Sequence, residues 1–436
     1  MGRWFGMEKR ALNHKHNLYP MLSVEEALAK VLAMFQPLEP ERVPILEALG
    51  RVLAEDVFAK DNIPPHTNSA MDGYAVLARD LDGAEPGAPR RLRVIENLAA
   101  GYITSLRVTP GVAIRIMTGA PLPSGADAVI PFEETQQDGD WVDCFAAVPV
   151  GENVRLAGED VRAGQRTLAR GTRIRAQEIG MLAALGYDEV AVIRRPRVAI
   201  LATGDEVVDI NVPLLPGKIR NANGYSNAAQ VLQYGGIPLM LGIAHDSVNE
   251  LTERIHQGLA QGADLLLTSG GVSVGDFDIV KQVLAAEGEI SFWRVRMKPG
   301  KPLAFGVITT EVNNVQRSTP ILGLPGNPVS AMVSFEMFAR PAILTMLGLT
   351  DLRKPMVEGV LDDGIATKDE RRHYVRVFVT QRADGYHAAR TGEQGSGILN
   401  SMVQSNGLAI IPEHWTHVLP GTRVEIILYE AGALES

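Results

Sequence analysis

The sequence predicts a multi-domain α/β plus β protein, on three observations. At 436 residues the chain is longer than one hydrophobic core comfortably organises, since domains commonly hold about 150 residues. Beyond Arg194, buried strands alternate with amphipathic helices, which is typical of a parallel sheet covered by helices on both faces. Two other regions, 92–150 and the residues after Thr350, contain short strand-like runs separated by turn residues, which favours two β-domains.

The composition is that of an ordinary globular protein, with 46% hydrophobic and 21% charged residues, which argues against intrinsic disorder and collagen-like repeats. Fifty-one acidic against 42 basic residues give a formal net charge of -9. This charge disfavours nucleic acid and anionic membranes as partners, because both attract an excess of basic groups. Any anionic ligand must therefore be bound by a local cluster of basic side chains.

Cysteine content and hydropathy predict a cytoplasmic protein. Cys144 is the only cysteine, so an internal disulfide and a Cys-rich zinc site are both excluded. No apolar run approaches the ~20 residues of a membrane-spanning helix, and the first residues lack the apolar core of a secretory signal. His14 and His16 are metal-binding candidates, but a disordered lead-in is the favoured interpretation of that segment.

The predicted domains follow one another with one interruption. In chain order they are a disordered lead-in (1–17), the first part of a helical domain (18–61), an inserted β-domain (62–161), the second part of the helical domain (162–193), an α/β domain (194–350) and a C-terminal β-domain (351–436). Ser23 and Glu26 form a capping box that begins an amphipathic helix reaching about Phe35. A second helical pattern, from Ala176 to Leu185, follows the β-strands. This order predicts that the β-domain interrupts one discontinuous helical domain.

The α/β domain contains the most informative loop, TSGGVSVGDFD at 268–278. It follows the third strand of the βαβ series, and ligands of such sheets bind beyond the carboxyl ends of the strands. Its glycines permit close backbone approach and its hydroxyls can donate hydrogen bonds, so the loop can bind a phosphate-like oxyanion. The candidate residues are Thr268, Ser269, Gly270, Gly271, Ser273 and Gly275. The competing interpretation is a Gly-rich turn packed on its own sheet.

Acidic residues follow each of the first three predicted strands of the α/β domain. They are Asp205 and Glu206 after the first strand, Asp246 after the second, and Asp276 and Asp278 after the third. Because the strand ends share one rim of the sheet, the carboxylates are candidates for binding a hard cation such as Mg²⁺, which takes oxygen ligands. For individual residues, a role at the start of the following helix is the alternative.

Basic counter-groups follow in MKPGKP, where Lys298 and Lys301 lie on a turn braced by proline and glycine, with Arg294 and Arg296 just before. Two lysines held in this way suit a phosphate or another tetrahedral oxyanion. A solvated charged turn is the alternative. The next motif, GLPGNPVSAM, is compatible with anion binding at residues 327–330, although by itself it indicates only a good helix start.

These motifs, in this order, resemble the MoeA family of molybdopterin molybdenumtransferases, which is also found as the E domain of gephyrin-type proteins. The loops NSAMDGYAV, RIMTGAPLP, AGEDVR and ATGDEVV match the family pattern as well. The resemblance extends from about Leu22 to Tyr429, nearly the whole chain. It implies a discontinuous helical domain, an inserted β-domain, a three-layer α/β domain with a parallel sheet like that of the molybdopterin adenylyltransferases, and a C-terminal β-barrel.

The resemblance also implies an activity, the last step of molybdenum cofactor assembly. In that step adenylylated molybdopterin and molybdate yield the molybdenum-bound cofactor and AMP, with Mg²⁺ as the cofactor. The family is dimeric and its active cleft is shared, so we expect a homodimer. The molybdopterin adenylyltransferase and apo-molybdoenzymes are further expected partners. Two alternatives stay open: the chain is itself a molybdopterin adenylyltransferase, or it is a non-catalytic gephyrin-like scaffold.

Functional positions of the family carry over residue by residue. The implied catalytic positions are Asp72, Thr118, Asp160, Glu206 and Asp278. The implied metal ligands are Glu206, Asp246 and Asp278. The implied substrate-binding positions are Ser269, Gly270, Gly271, Ser273, Gly275, Lys298, Lys301, Pro325, Pro328, Arg376 and Ser396. The chain departs from the pattern at Arg294, where relatives often carry lysine, and at 309–319, where we expect a polar surface excursion with no assigned role.

Overall fold

The computed structural model describes residues 21–245, 247–270, 288–312, 315–367 and 369–430. By internal contacts the chain divides into two compact units, Arg42–Val192 and Met1–Glu41 with Ile193–Ser436. The described α-helices are α1 (Val24–Leu32), α2 (Ala176–Ala184), α3 (Ala222–Gln233), α4 (Val248–Ala260), α5 (Pro328–Ser334), α6 (Arg340–Met346) and α7 (Leu399–Val403). None of the helices in these ranges is both long and apolar enough to cross a membrane.

The larger unit is built around a sheet of seven described strands. In spatial order these are Met21–Leu22, Gly288–Val295, Pro302–Val312, Val315–Leu324, Leu265–Ser269, Arg197–Thr203 and Ile237–Ala244. The strand Arg197–Thr203 is parallel to both of its neighbours. Successive residues of this strand pack on opposite faces of the sheet: Ile200 shares a core with Val231 of α3, and Leu201 shares another with Ile255 of α4. Helices therefore cover both faces, and the predicted three-layer α/β domain is confirmed.

One part of this sheet differs from the prediction, because Pro302–Val312 and Val315–Leu324 form a long antiparallel hairpin. The expected polar excursion at 309–319 is not an irregular loop, since its described residues continue the ladder of paired strands. Paired backbone groups satisfy each other, so a hairpin can extend with polar side chains. The hydroxyls of Thr309 and Ser318, for example, lie 3.2 Å apart across the two strands.

Helix α1 packs in the larger unit rather than with residues 162–193, the segment with which the sequence pattern grouped it. The predicted capping box is present, because the amide of Glu26 donates to Ser23 Oγ and the amide of Ser23 donates to the Glu26 carboxylate. The buried side chains of Val24 and Val31 belong to the same core as the sheet. A hydrophobic stripe determines that a helix is buried, whereas the tertiary structure sets its partner surface. The other predicted domain bounds stay predictions.

A closed barrel of five strands forms the C-terminal part of the larger unit, and the predicted β-barrel is confirmed. Around the barrel the strands are Arg372–Arg382, Gly385–Arg390, Met356–Leu361, Arg423–Leu428 and Gly407–Ile411, and the last pairs with the first. The short strand Met297–Lys298 lies parallel to Arg372–Arg382, with Lys298 opposite His373. This pairing brings the predicted lysine turn against the barrel. The described part of the unit also contains two ribbons, Val207–Val208 with Ile219–Arg220 and Ile365–Ala366 with His417–Val418.

The smaller unit is mostly β-structure. Its main sheet contains, in spatial order, Ala128–Pro131, Gly73–Val76, Val112–Ile116, Arg90–Leu98, Trp141–Cys144 and Thr135–Asp138. Three ribbons accompany it, Asn68–Ser69 with Val154–Arg155, Val57–Phe58 with Arg166–Leu168, and Pro40–Pro44 with Glu189–Ile193. Gly73 is required by close packing, because a Cβ there would lie 2.0 Å from the carbonyl oxygen of Ile130. The MDGY motif therefore enters this sheet at a position where only glycine fits.

Candidate active site

A cavity of about 670 Å³ lies between the α/β sheet and the C-terminal barrel, within the larger unit. The charged side chains in its lining are mostly basic. The basic ones are Lys298, Lys301, Arg371, Arg376 and Arg390, with His373 beside them. Glu393 is the acidic residue among the lining residues. In a protein whose net charge is -9, this is the local cluster of positive charge that an anionic ligand needs.

The lysine turn forms one wall of the cavity. Gly300 between the lysines has φ +103, a conformation that favours glycine. Lys301 is half-buried, and among the described residues it forms no ion pair with a carboxylate. Burial lowers the pKa of Lys301, and repulsion by Arg294 and Arg371 lowers it further. A partly desolvated cation without a carboxylate partner is stabilised by an anionic ligand.

The start of α5 forms a second wall. Pro325 and Ser330 line the cavity, and Pro328 is the first residue of the helix. The amide of Val329 donates to the backbone oxygen of Ser396 at 3.1 Å. This bond attaches the loop that carries Ser396, another lining residue, to the α/β side of the cavity. The structure therefore brings Ser396 to the same cavity as the two lysines.

Arg376 is a buried residue of the barrel wall that holds a neighbouring turn by hydrogen bonds. Its side chain is almost fully buried, at 1% exposure. Nε donates to Ser401 Oγ at 2.7 Å, and Nη2 donates to the carbonyl oxygens of Glu393 and Gly395, both at 3.1 Å. Burial lowers the pKa of its guanidinium. Arg376 thus lines the cavity and also holds the turn that presents Ser396.

The carboxyl ends of the sheet strands meet beside this cavity. Ser269 lies opposite Leu324 on the neighbouring strand, and its hydroxyl is buried without a hydrogen-bond partner in the described part of the chain, as is that of Thr268. Gly270 follows with φ +94, and a Cβ there would lie 2.6 Å from the carbonyl oxygen of Thr203. A buried hydroxyl without a protein partner has an unused donor, which a ligand oxygen or an ordered water would satisfy. Gly271, Ser273, Gly275, Asp276 and Asp278 lie outside the described residues.

Glu206 lies at the same rim. Its carboxylate is close to Gly204, where a Cβ would lie 2.5 Å from Oε2 of Glu206. It forms no ion pair with a basic side chain of the described residues, so its oxygens are available to a hard cation. The described ranges contain no group of three His, Cys, Asp or Glu residues that would hold a metal ion. Asp246, like Asp278, lies outside those ranges, so the predicted Mg²⁺ site stays a prediction.

Asp72 and Thr118 are in contact in the smaller unit, as neighbours in space although far apart in sequence. The amide of Thr118 donates to Asp72 Oδ1 at 2.7 Å and its hydroxyl donates to the same oxygen at 2.8 Å. These two bonds, the amide bond first, hold the pKa of the exposed Asp72 carboxyl below its ordinary value. Asp160 is exposed in the same unit, and its amide donates to the carbonyl oxygen of Ile63. Two of the three predicted residues are therefore directly coupled.

Replacing Thr118 with valine should raise the pKa of Asp72 towards its ordinary value, because the hydroxyl donor is lost while the amide donor remains. The pKa is measured by NMR titration of the carboxyl carbon. Ser124→Ala, on another loop of the same unit, serves as the control. An unchanged Asp72 pKa in Thr118→Val would contradict a role for the hydroxyl in holding this carboxylate ionised.

Sequence reasoning missed Arg371, His373 and Arg390, which all line the cavity. A signal was present, because His373 and Val375 alternate along one face of the strand Arg372–Arg382, Arg371 directly precedes that strand, and all three reach the cavity. Only the pairing of that strand with Met297–Lys298 shows that this face meets the lysine turn.

Comparison with known proteins begins with family models, which match three consecutive stretches of the chain. The MoeA N-terminal region (domain I and II) matches residues 22–186, a probable molybdopterin binding domain matches 199–345, and the MoeA C-terminal region (domain IV) matches 358–429. A molybdopterin molybdenumtransferase 2 of Mycobacterium tuberculosis is 37% identical over 412 residues, covering 93% of this chain and 99% of that protein. The chain belongs to the MoeA family.

Other MoeA relatives agree along the same length. A molybdopterin molybdenumtransferase of Nostoc is 37% identical and covers 94% of this chain and 95% of its own. The crystal structure of a molybdopterin biosynthesis MoeA protein from Pyrococcus horikoshii OT3 superposes with a TM-score of 0.78 at 31% identity, covering 94% of this chain and 100% of that one. Within the MoeA pattern, the basic cavity joins the second matched region, which holds Lys301, to the third, which holds Arg376.

Proposed function

We propose that this chain is a molybdopterin molybdenumtransferase that inserts molybdenum from molybdate into adenylylated molybdopterin and releases AMP, the last step of molybdenum cofactor biosynthesis. The observation that carries the proposal is the contact between two anion-binding elements. Gly326 lines the basic cavity, and a Cβ there would lie 3.5 Å from Cα of Gly270 in the predicted phosphate loop. An oxyanion and a nucleotide phosphate can thus bind side by side.

The basic cavity would bind molybdate. A tetrahedral dianion would lie among Lys298, Lys301, Arg376 and Ser396, which all line the cavity. Ammonium and guanidinium groups form charge-assisted hydrogen bonds to such oxyanions, which are about twice as strong as neutral ones. The same cations offset the repulsion between molybdate and the negatively charged pterin nucleotide, which otherwise opposes their approach.

The strand-end rim would bind the nucleotide. The hydroxyl of Ser269 and the backbone of Gly270 contribute to a cradle for phosphate oxygens, together with Gly271, Ser273 and Gly275. Glu206, with Asp246 and Asp278, would hold Mg²⁺, and their carboxylate oxygens suit that ion. When bound, Mg²⁺ neutralises negative charge on the phosphate oxygens.

The remaining parts of the proposal concern assembly and location. Asp72, Thr118 and Asp160 would act from the second subunit of a homodimer whose cleft is shared, and a fully active monomer would contradict this. The same proposal includes two partner proteins: a molybdopterin adenylyltransferase that supplies the adenylylated molybdopterin, and apo-molybdoenzymes that receive the finished cofactor. We place the reaction in the cytoplasm, because the one cysteine of the sequence, Cys144, is free and buried, so the fold depends on no internal disulfide.

No finding favours the two alternatives. The curated relatives match 93–95% of the chain, which includes regions that an adenylyltransferase with the α/β domain alone would not need. A scaffold would not need a basic cavity beside a phosphate loop.

The direct test supplies purified protein with adenylylated molybdopterin, molybdate and Mg²⁺ and measures release of AMP. Glu206→Gln and Asp278→Asn should each slow that release by at least about 100-fold, the usual scale when a group that binds developing charge is lost. Glu358→Gln, on an exposed face of the barrel, should leave the rate unchanged. Formation of adenylylated molybdopterin from ATP and molybdopterin, without molybdate-dependent AMP release, would instead support the adenylyltransferase.

A further inference from the structure

The barrel wall of the basic cavity contains an ion-pair cluster centred on Asp369. Arg371 donates from Nε to Oδ1 of Asp369 at 2.9 Å and from Nη2 to Oδ2 at 2.7 Å. Nε2 of His373 lies 3.0 Å from Oδ1. The Asp369 carboxylate is thus held by three short contacts, while Arg371 and His373 both line the cavity.

The edge of the guanidinium that Asp369 occupies determines what Arg371 can offer a ligand. A guanidinium has five N–H donors in a planar fork. Because Asp369 occupies the edge formed by Nε and Nη2, the donors of Nη1 are left for another acceptor. Arg371 has no carboxylate partner other than Asp369 in the described part of the chain. Asp369 itself is not among the cavity-lining residues.

We propose that Asp369 is a positioning residue of the oxyanion cavity, which orients Arg371 so that its free guanidinium edge binds the tetrahedral substrate anion together with Lys298 and Lys301. His373 supports this arrangement by donating from Nε2 to the same carboxylate. The inference rests on the proposed function, because it assigns a further substrate-binding group to the same cavity.

Asp369 has two opposing effects on an anion, and the geometry decides between them. Its negative charge repels the ligand, but Arg371 already compensates that charge at hydrogen-bond distance, and Lys298 Nζ lies 3.9 Å away. The positioning effect is larger than the remaining repulsion. The Arg371 side chain is 24% exposed, and without Asp369 it would lose rotamer freedom on binding the anion, which costs free energy. The hydrogen bond from Arg371 also lowers the pKa of Asp369 strongly, so the carboxylate is ionised throughout the neutral range.

The test measures molybdate binding to the full-length protein by isothermal titration calorimetry. Asp369→Asn and Asp369→Ala should each raise the Kd for molybdate about tenfold, the loss expected for one charge-assisted hydrogen bond. In an Arg371→Ala background, Asp369→Ala should no longer weaken molybdate binding, because a positioning residue has nothing to orient once its arginine is absent. The Kd should stay the same or fall, since the Asp369 charge is then no longer compensated by Arg371. In the turnover assay, KM for molybdate should rise with kcat unchanged.

The chain offers a matched control. Asp351 binds Arg353 through the same two-oxygen geometry and the same sequence spacing, at 2.8 Å and 2.9 Å, but on an exposed surface away from the cavity. Asp351→Asn should leave the Kd for molybdate unchanged, and circular dichroism should confirm that all variants are folded.

Two results would overturn the inference. The first is an Asp369→Asn protein that binds molybdate as tightly as the wild type or more tightly, which would mean that the carboxylate only competes with the ligand. The second is an equal loss of affinity in the Arg371→Ala background, which would indicate a general structural role. A wild-type protein that binds no molybdate would overturn the proposed cavity function itself, so the two failures are distinguishable.

Discussion

Replacement of both Lys298 and Lys301 with methionine is expected to raise the Kd for molybdate at least about 100-fold and to abolish AMP release at low molybdate. Each lysine can donate a charge-assisted hydrogen bond, and loss of about 3 kcal/mol in total corresponds to roughly two orders of magnitude in Kd. Methionine keeps much of the side-chain volume, so the change should remove the two charges and leave the packing of the turn largely intact. Calorimetry with molybdate measures the Kd directly.

Lys30→Met is the control for this pair. Lys30 lies exposed in the last turn of α1 and does not line the cavity, so its loss should not change molybdate binding. If the double lysine variant bound molybdate as tightly as the wild type, the basic cavity would not be the molybdate site. AMP release at saturating molybdate would then show whether the protein is a transferase whose molybdate site lies elsewhere.

The same site should show a pH dependence. The pKa of Lys301 is lowered by burial and by the neighbouring arginines, so its charge is lost at a lower pH than that of an ordinary lysine. Molybdate affinity should therefore be complete near neutral pH and fall as the pH rises towards the lysine pKa of about 10.4. Lys301→Arg should shift that fall to higher pH, because arginine stays charged. An identical alkaline profile in Lys301→Arg would exclude Lys301 as the titrating group.

Replacement of Glu336 with glutamine is expected to destabilise the larger unit by about 3–5 kcal/mol, the scale for breaking a buried ion pair from one side. Glu336 lies in the π-helical turn between α5 and α6, and its carboxylate accepts from Lys354 Nζ at 2.6 Å, with both side chains 7% exposed. Tyr234 and Gln230 donate to the same carboxylate. Glutamine would leave the Lys354 ammonium buried without a counter-charge.

Thermal and urea unfolding measure this effect. The double variant Glu336→Gln with Lys354→Met should recover part of the lost stability, because it removes the uncompensated charge. The neighbouring exposed pair Asp351–Arg353, with side chains 65% and 85% exposed, supplies the comparison, since Asp351→Asn should cost no more than about 1 kcal/mol. Equal losses in Glu336→Gln and Asp351→Asn would show that the buried pair contributes nothing beyond a surface contact.

This buried pair also bears on the cavity. Lys354 lies in the segment that leads into the barrel, and its ammonium lies 5.7 Å from the ring centroid of Tyr429 near the end of the last barrel strand. Glu336 belongs to the helical stretch that begins at the cavity wall with Pro328. The pair therefore ties the α/β wall of the cavity to the barrel wall. A weakened pair should loosen both walls and raise KM for molybdate along with the loss of stability.

Local patterns in the sequence predicted much of the fold. The capping box at Ser23 is present, and the strands Arg197–Thr203 and Leu265–Ser269 lie within the sheet as the βαβ pattern indicated. Such features depend on neighbours a few residues away, which is why a sequence reveals them. The partner of α1 and the long hairpin at 302–324 were not predicted, because they depend on which apolar surfaces and strand edges meet in the folded chain.

The sequence by itself determined which chemistry is available: the Gly/Ser loop after Leu265–Ser269, the acidic residue Glu206 at a strand end, and two lysines on a Pro-Gly turn in an acidic chain. Only the tertiary structure decided what those lysines face. The register that sets Lys298 opposite His373 brings a barrel strand against the turn, and with it Arg371. The physical reason is that residue type and local spacing set the charge and the conformation of each segment. Whether the lysine turn and the barrel residues can bind the same ligand depends instead on strand pairing between residues more than 70 positions apart.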